Sequence, residues 1–181
     1  KEQAHNVARP TDFGSVIIDI PAFKALPLEL RSRLFAHALK WVSGSIYRPR
    51  FDALLDSATK LWAGEDHTLS GCHILTDGTQ GEVCREVANI ARSTDLNMDD
   101  RWQIKGDELA DGHYIAPLGA VGLALCADWR SLGASRVSLM GTPAIWRDDT
   151  LIAAPVVDPT SAWQAGLKKD HHEFFTSLVT H

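Results

Sequence analysis

Apolar residues recur at helical spacing in two stretches near the start of the chain. Residues 30–42 and 51–61 each carry apolar side chains three or four positions apart. This period places the apolar side chains on one face of an α-helix, so it predicts two helices that pack against a core. Pro27 and Gly44 are typical of the start and the end of the first helix, and Gly64 is typical of the end of the second.

Strand patterns follow this helix pair. Residues 68–75 and 82–87 flank a turn that contains Gly78 and Gly81, which predicts a β-hairpin. A second hairpin is expected around Arg147, Asp148 and Asp149. Shorter strands are expected over 15–20, 101–105 and 113–116, and a helix over 120–132. The last segment, 161–181, is predicted to be one helix with five apolar contacts, namely Trp163, Leu167, Phe174, Phe175 and Leu178.

These elements predict an α+β protein with two domains. Residues 14–90 are expected to form a small helical domain with a β-hairpin, which follows an irregular lead-in over 1–13. A polar linker is expected over 91–98, and a small mixed α+β C-terminal domain over 99–181. No apolar run in the sequence approaches the roughly 20 residues that span a bilayer, so no membrane partner is expected.

Charge is unevenly distributed along the 181 residues. The total is −5, but residues 21–60 carry seven basic side chains against three acidic ones, a net charge of +4, and the remainder carries −9. Such asymmetry is typical of a basic contact face on an acidic body. A solvated helix surface would give the same count.

The turn between the two helices contains two arginines on either side of a proline. Arg48 and Arg50 flank Pro49 and follow Tyr47. A guanidinium group is a planar fork that binds phosphate oxygens in pairs, so these arginines are the first candidates for contacts with phosphate groups such as those of a nucleic-acid backbone. Salt bridges to Asp52 or Asp56 are the alternative. The ring of Tyr47 could stack on a base or sugar, or it could pack against the turn.

Further basic residues extend this candidate surface. Arg31, Arg33 and Lys40 lie on the predicted first helix, outside its apolar face, and each could instead be a solvated side chain. Phosphate contacts from such residues would contribute affinity and salt dependence more than sequence choice.

No catalytic or metal-binding motif stands out. The sequence lacks a phosphate-binding glycine loop, a Gly-x-Ser-x-Gly elbow and a His-Glu-x-x-His helix, and no catalytic residue is assigned. The three cysteines, Cys72, Cys84 and Cys126, have no metal spacing and are typical of small buried apolar residues in a reducing compartment. A hydrolase built on His113 and Asp111 would lack a nucleophile at supporting spacing. No metal site is expected.

Two blocks of sequence resemble a known family. The first covers 16–87 and includes "LPLELRSRLFAHALKWVSG", "YRPR", "HTLSGCHI" and "EVCREV". The second covers about 100–157 and includes "DRWQI", "PLGAVGL" and "WRSLGASRVSLMGTPAIWRDDTLIAAP". In their order and content these segments resemble the C-terminal, non-catalytic portion of bacterial tRNA(Ile)-lysidine synthetase, an enzyme of the PP-loop ATPase family.

The resemblance implies a function in tRNA modification. The family uses ATP, with Mg, to adenylate the wobble cytidine of tRNA(Ile) and then attaches lysine to form lysidine. The Ser-Gly-Gly-x-Asp-Ser loop of its N-terminal catalytic domain does not occur in this sequence. The resemblance therefore implies a tRNA-recognition part that holds no cofactor and is inactive alone. Arg136, where the family carries an arginine before its proline hairpin, becomes a candidate for acceptor-stem contact.

The expected partners follow from the same resemblance. They are a tRNA(Ile) with a CAU anticodon and the PP-loop domain of the same protein, in the cytoplasm, with a homodimer left open. The alternative from another class is a stand-alone protein-interaction or regulatory domain pair with no RNA role. The acidic balance beyond Lys60 favours that alternative.

Overall fold

The computed structural model describes residues 6–179. Helices and strands occur in both halves of the chain, and the predicted α+β class is confirmed. Backbone contacts divide the described residues into two compact units, of which the first comprises 6–86 with 169–179 and the second 87–168. Residues 1–5 of the predicted lead-in and 180–181 of the predicted final helix lie outside the described residues.

The first unit contains a five-stranded antiparallel sheet. Its strand order is β1-β2-β5-β4-β3, and its strands are β1 Ala8–Pro10, β2 Val16–Asp19, β3 His67–Leu69, β4 Cys72–Thr76 and β5 Gln80–Arg85. The predicted hairpin is its centre, because β4 and β5 pair from Cys72 with Arg85 to Thr76 with Gly81. The first unit therefore contains more strand than a helical domain with one hairpin, and β1 occupies part of the predicted lead-in.

Three helices in the first half of the chain pack with this sheet. They are α1 Ile20–Ala25, α2 Leu28–Ser43 and α3 Phe51–Ala63. Both long helices end as predicted, because Gly44 and Gly64 adopt the left-handed conformation in which a side chain is unfavourable. Apolar side chains of α2 and α3 lie buried against the sheet, which confirms the helix pair with its core-facing apolar positions.

The hairpin turn is organised by one carboxylate. Asp77 Oδ1 accepts hydrogen bonds from the backbone N–H groups of Thr79 and Gln80, at 2.8 and 2.7 Å, and from the Thr79 hydroxyl at 2.8 Å. These donors favour the ionised form, so they lower the pKa of Asp77 below its ordinary value. The turn thus fixes the register of β4 against β5.

The end of the chain differs from the prediction of one long helix. Strand β11, Gln164–Leu167, is followed by helix α6, His171–Val179, which belongs to the first unit. The N–H of Glu173 donates to Asp170 Oδ1 at 2.8 Å, and the N–H of Asp170 donates to Glu173 Oε1 at 3.2 Å. This reciprocal pair is a capping box, and it starts the helix at that point instead of at 161.

The second unit contains two three-stranded sheets. Its further strands are β6 Asn97–Met98, β7 Trp102–Lys105, β8 His113–Pro117, β9 Pro143–Arg147 and β10 Thr150–Ala153. One sheet has the order β10-β9-β8 and the other β11-β7-β6. The predicted linker over 91–98 contains β6, whose Met98 is fully buried, and Ser93 exchanges backbone hydrogen bonds with Ile115. The second hairpin, β9 with β10, forms where it was expected.

The helix predicted over 120–132 is shorter in the structure. Helix α4, Gly119–Leu125, ends well before 132, and a single 3-10 turn, Trp129–Leu132, follows it. Asp128 between them has a φ of 54°, a left-handed conformation that interrupts a helix. Helix α5, Arg136–Met140, begins after Ser135, whose side chain accepts from the N–H of Ser138. None of the helices in the described residues has the length and apolarity needed to cross a bilayer.

Gly122 on α4 provides a test of packing in the second unit. A Cβ at this position would lie 2.6 Å from Leu118 Cδ1 and 3.0 Å from Trp146 Cζ2. Alanine in a helix usually stabilises relative to glycine by about 1 kcal/mol, but overpacking costs about 1–3 kcal/mol. We expect Gly122→Ala to lower the free energy of unfolding, measured by urea denaturation. Gly166→Ala is the control, because its Cβ meets nothing within 4 Å. A stabilised Gly122→Ala variant would contradict this packing.

Candidate nucleic-acid interface

The turn between α2 and α3 holds two of the predicted RNA-binding arginines in a constrained backbone. We call residues 46–50 the basic elbow. Ser45 Oγ accepts a hydrogen bond from the N–H of Tyr47 at 3.1 Å, and Pro49 restricts both its own φ and the conformation of Arg48. Arg50 is extended, with φ −62° and ψ 147°, and α3 begins at the next residue. The backbone that carries the arginines is therefore constrained by local interactions.

Three predicted residues meet in one groove of the first unit. Arg33, Lys40 and Arg48 line an open groove of about 110 Å³, together with three further residues, Ala36, His37 and Leu178. Arg33, His37 and Lys40 are four and three positions apart on α2, so their side chains share one helix face. We call this site the basic groove. The structure thus brings the first helix and the elbow together around three cations.

One wall of the basic groove comes from the distant helix α6. His37 Nε2 lies 2.7 Å from the backbone carbonyl oxygen of Phe174, and the two rings are 4.7 Å apart. A carbonyl oxygen only accepts, so this nitrogen carries the proton. Phe174 is fully buried and also packs edge-on against Trp41 at 5.4 Å. These contacts seat α6 on α2 and place Leu178 at the groove.

The charges of the elbow are not neutralised locally. Asp56, one proposed partner, instead binds Lys60 at 2.8 Å, and its carboxylate raises the pKa of Lys60. Within residues 6–179, neither Arg48 nor Arg50 forms an ion pair. Arg48 is exposed, and its guanidinium is available to an anionic ligand. This arrangement favours the phosphate-binding interpretation over the local salt bridge.

The remaining predicted residues lie outside the basic groove. Arg31 donates from Nη1 to the Lys24 carbonyl oxygen at 3.3 Å, and its guanidinium lies 4.8 Å from the centre of the Trp62 ring. Tyr47 and Arg50 are exposed on the elbow but do not line the groove. Arg136 is exposed at the start of α5 in the second unit. Their RNA contacts stay predictions, as do those of the three groove residues.

A second groove in the same unit has a different charge pattern. It is lined by Trp41, Lys169, Glu173, Thr176 and Ser177 and has a volume of about 200 Å³. Its lysine Nζ lies 5.8 Å from the centre of the Trp41 ring. A carboxylate in the lining disfavours phosphate, so this groove is the weaker candidate for RNA.

Sequence reasoning missed His37 and Leu178 as members of the site. His37 could have been found, because it lies four residues after Arg33 on the same predicted helix. Leu178 could not, because its position depends on the packing of Phe174 far along the chain. Local spacing predicts the face of one helix, whereas a groove between two helices requires their tertiary contact.

Other side chains with catalytic potential have structural roles. Ser57 Oγ lies 2.5 Å from His67 Nε2, and His67 Nδ1 lies 2.8 Å from the Glu65 carbonyl oxygen. This resembles a nucleophile and its base, but Ser57 is buried and the pair joins α3 to β3. In the described part of the chain, no group of three or more His, Cys, Asp or Glu residues could hold a metal ion. Burial raises the pKa of the Cys126 thiol, which makes it less reactive.

Comparisons with known proteins give one consistent result. No protein-family model matches this chain. Over 173 residues it is 34% identical to the tRNA(Ile)-lysidine synthase of Ruegeria pomeroyi, a match that covers 94% of this chain and 41% of the relative. Proteins of the same name from Wolbachia sp. subsp. Brugia malayi and Wolbachia pipientis wMel are 30% and 28% identical over 97 residues. Each Wolbachia match covers 50% of this chain and 22% of the relative.

The matches cover much more of this chain than of its relatives. The chain spans less than half the length of the Ruegeria protein, while nearly all of its own residues take part in the alignment. It is therefore similar over almost its whole length to part of a tRNA(Ile)-lysidine synthase, and the extent of the match is consistent with the C-terminal portion that its sequence motifs predicted.

Proposed function

We propose that this chain is the tRNA-recognition part of an ATP-dependent ligase that attaches lysine to the wobble cytidine of tRNA(Ile). The observation that carries the proposal is the basic groove, where Arg33, Lys40 and Arg48 converge in a chain similar to tRNA(Ile)-lysidine synthases. ATP, Mg and lysine would act in a PP-loop domain outside this sequence. The chain alone would then be inactive as a ligase.

The groove is suited to binding the backbone of RNA. Arginine and lysine side chains neutralise phosphates and release condensed counterions, which gives affinity that depends steeply on salt. Contacts of this kind fix the position of the RNA and carry little sequence information. The groove would therefore hold the tRNA in register, and the choice of the wobble cytidine would rest mainly with the catalytic domain.

Salt dependence of tRNA binding tests this proposal. We expect the chain to bind an unmodified tRNA(Ile) with a CAU anticodon, measured by fluorescence anisotropy at 50 to 200 mM KCl. Three or four phosphate contacts predict a loss of affinity of roughly 40- to 150-fold across this range. Heparin, a polyanion that is not a nucleic acid, serves as the control for charge alone. It should bind more weakly than tRNA at 200 mM KCl. Absence of tRNA binding at 50 mM would refute the proposal.

A protein-interaction or regulatory role is the second candidate. The acidic balance outside residues 21–60 favours it, because an acidic body repels RNA at long range. In that case tRNA would bind no better than heparin at any salt concentration.

The cytoplasmic location and a homodimer of the parent enzyme also belong to the proposal.

A further inference from the structure

The basic elbow exposes more apolar surface than a phosphate site requires. Ile46 and Tyr47 are each 78% exposed, and Phe51, which begins α3, is 50% exposed. The sequence from 46 to 51 is Ile-Tyr-Arg-Pro-Arg-Phe, so aromatic rings stand on both sides of two cations. Phosphate binding accounts for the arginines, but it leaves the two rings unexplained.

The backbone that carries these exposed rings is constrained on both sides of the arginines. Ser45 Oγ binds the N–H of Tyr47 at 3.1 Å, Pro49 fixes the following turn, and Phe51 is held by the first turn of α3. An aromatic side chain has only two rotatable bonds, so it loses little conformational entropy when it binds a flat partner. The elbow is therefore preorganised for contact with a planar group next to an anion.

Unpaired nucleotides have this combination of groups. Each carries a phosphate and a base, and the faces of an unpaired base are free to stack on an aromatic side chain. In a double helix those faces are already covered by neighbouring base pairs, so an aromatic ring cannot reach them. Charge complementarity also favours RNA, because residues 43–51 contain two arginines and no carboxylate, and neither arginine forms an ion pair with the nearby Asp52 or Asp56 within residues 6–179.

We infer that the basic elbow binds unpaired nucleotides, with Tyr47 and Phe51 stacking on bases and Arg48 and Arg50 contacting the phosphates between them. The inference rests on the proposed function, and it goes further by assigning single-stranded RNA to the elbow. Paired regions of the same RNA would contact Arg33 and Lys40 in the basic groove, and Arg48 lies where the two surfaces join. Specificity for unpaired segments would then come from the rings and affinity from the cations.

Two RNA probes separate these roles. One is a blunt 12-base-pair RNA duplex, and the other is the same duplex with a four-nucleotide single-stranded 3′ extension that contains 2-aminopurine. We expect the extension to strengthen binding about 5- to 100-fold, as stacking of one base does. The 2-aminopurine fluorescence should fall on binding, because a stacked base is quenched.

Substitutions at Tyr47 assign the effect to the ring. Tyr47→Ala should reduce the preference for the extended RNA and the quenching, because only Phe51 is then left to stack, while binding of the blunt duplex changes less than about twofold. Tyr47→Phe should restore both, because it keeps the aromatic face. Val121→Ala is the control, since it removes an equally exposed apolar side chain, 70% exposed, from the second unit.

The outcomes separate this inference from the proposed function. Equal affinity of the wild-type chain for both probes would overturn the inference alone, as would a Tyr47→Ala variant that loses both probes equally. Failure to bind either probe at low salt would overturn the proposed function as well. A third outcome is that the chain binds a polyglutamate peptide, that Tyr47→Ala weakens this binding, and that the chain does not prefer RNA. This outcome would assign the elbow to an acidic protein segment and overturn the inference.

Discussion

Neutralising Arg33, Lys40 and Arg48 together, as R33Q/K40Q/R48Q, is expected to weaken tRNA binding by roughly tenfold to several hundredfold at 0.1 M salt. The three side chains line one groove, and each phosphate contact contributes a counterion-release term to the affinity. The plot of log affinity against log salt should become shallower by about 2 to 3, because each lost phosphate contact lowers the slope by about 0.7–0.9. Fluorescence anisotropy over a KCl series measures both quantities.

A variant with the same loss of charge elsewhere is the control. Lys24, Lys60 and Lys105 lie outside the basic groove, so K24Q/K60Q/K105Q removes three positive charges without touching its lining. We expect this variant to change the salt slope by less than about 1. If both triple variants lose affinity equally, net charge and not the groove determines binding. Thermal unfolding of each variant shows that the fold is retained.

Truncating Phe174 is expected to lower the free energy of unfolding of the first unit by about 3–5 kcal/mol. Its ring is fully buried and contacts three other rings, those of His37, Trp41 and Phe175, at 4.7 to 5.4 Å. Phe174→Ala leaves a cavity at the centre of this cluster and removes the main contact of α6. Urea denaturation measures the loss of unfolding free energy. In hydrogen-exchange experiments, the substitution should increase the exchange rates of the α6 amides more than those of the α3 amides.

Phe175 supplies a matched control on the same helix. It is one residue away and only partly buried, so Phe175→Ala should cost clearly less, about 1–2 kcal/mol. Because α6 provides Leu178 to the basic groove, Phe174→Ala should also lower tRNA affinity, whereas Phe175→Ala should lower it less. Equal costs for the two variants would contradict the position of Phe174 in the core.

Local patterns predicted the elements whose ends are set by nearby residues. The helix pair follows from the spacing of its apolar residues, and its ends follow from two left-handed glycines. The central hairpin follows from the turn at Asp77. The same reasoning predicted the helix that is present over 171–179 but failed for 161–170, where Trp163 and Leu167 match a helical spacing but also alternate with exposed residues as in a strand. The pairing of β11 with β7 decides between helix and strand, and β7 lies about 60 residues away in the sequence.

The candidate site was predictable only in part. Charge and proline constraint indicated Arg48, and helical position indicated Arg33 and Lys40, which the structure brings together. The sequence could not show that Arg31 stacks on Trp62, because that contact joins α2 to α3. Nor could it place Leu178 beside these cations, since α6 reaches α2 only through tertiary packing.

Arginine side-chain NMR spectra recorded during titration with tRNA test the central claim most directly. We predict that the Nε–Hε resonances of Arg33 and Arg48 shift or broaden as tRNA is added at low salt. Arg85, whose guanidinium already donates to the Gly71 carbonyl oxygen at 2.8 Å, should remain unchanged. If tRNA binds while the resonances of Arg33 and Arg48 stay in place, the basic groove is not where this chain recognises RNA.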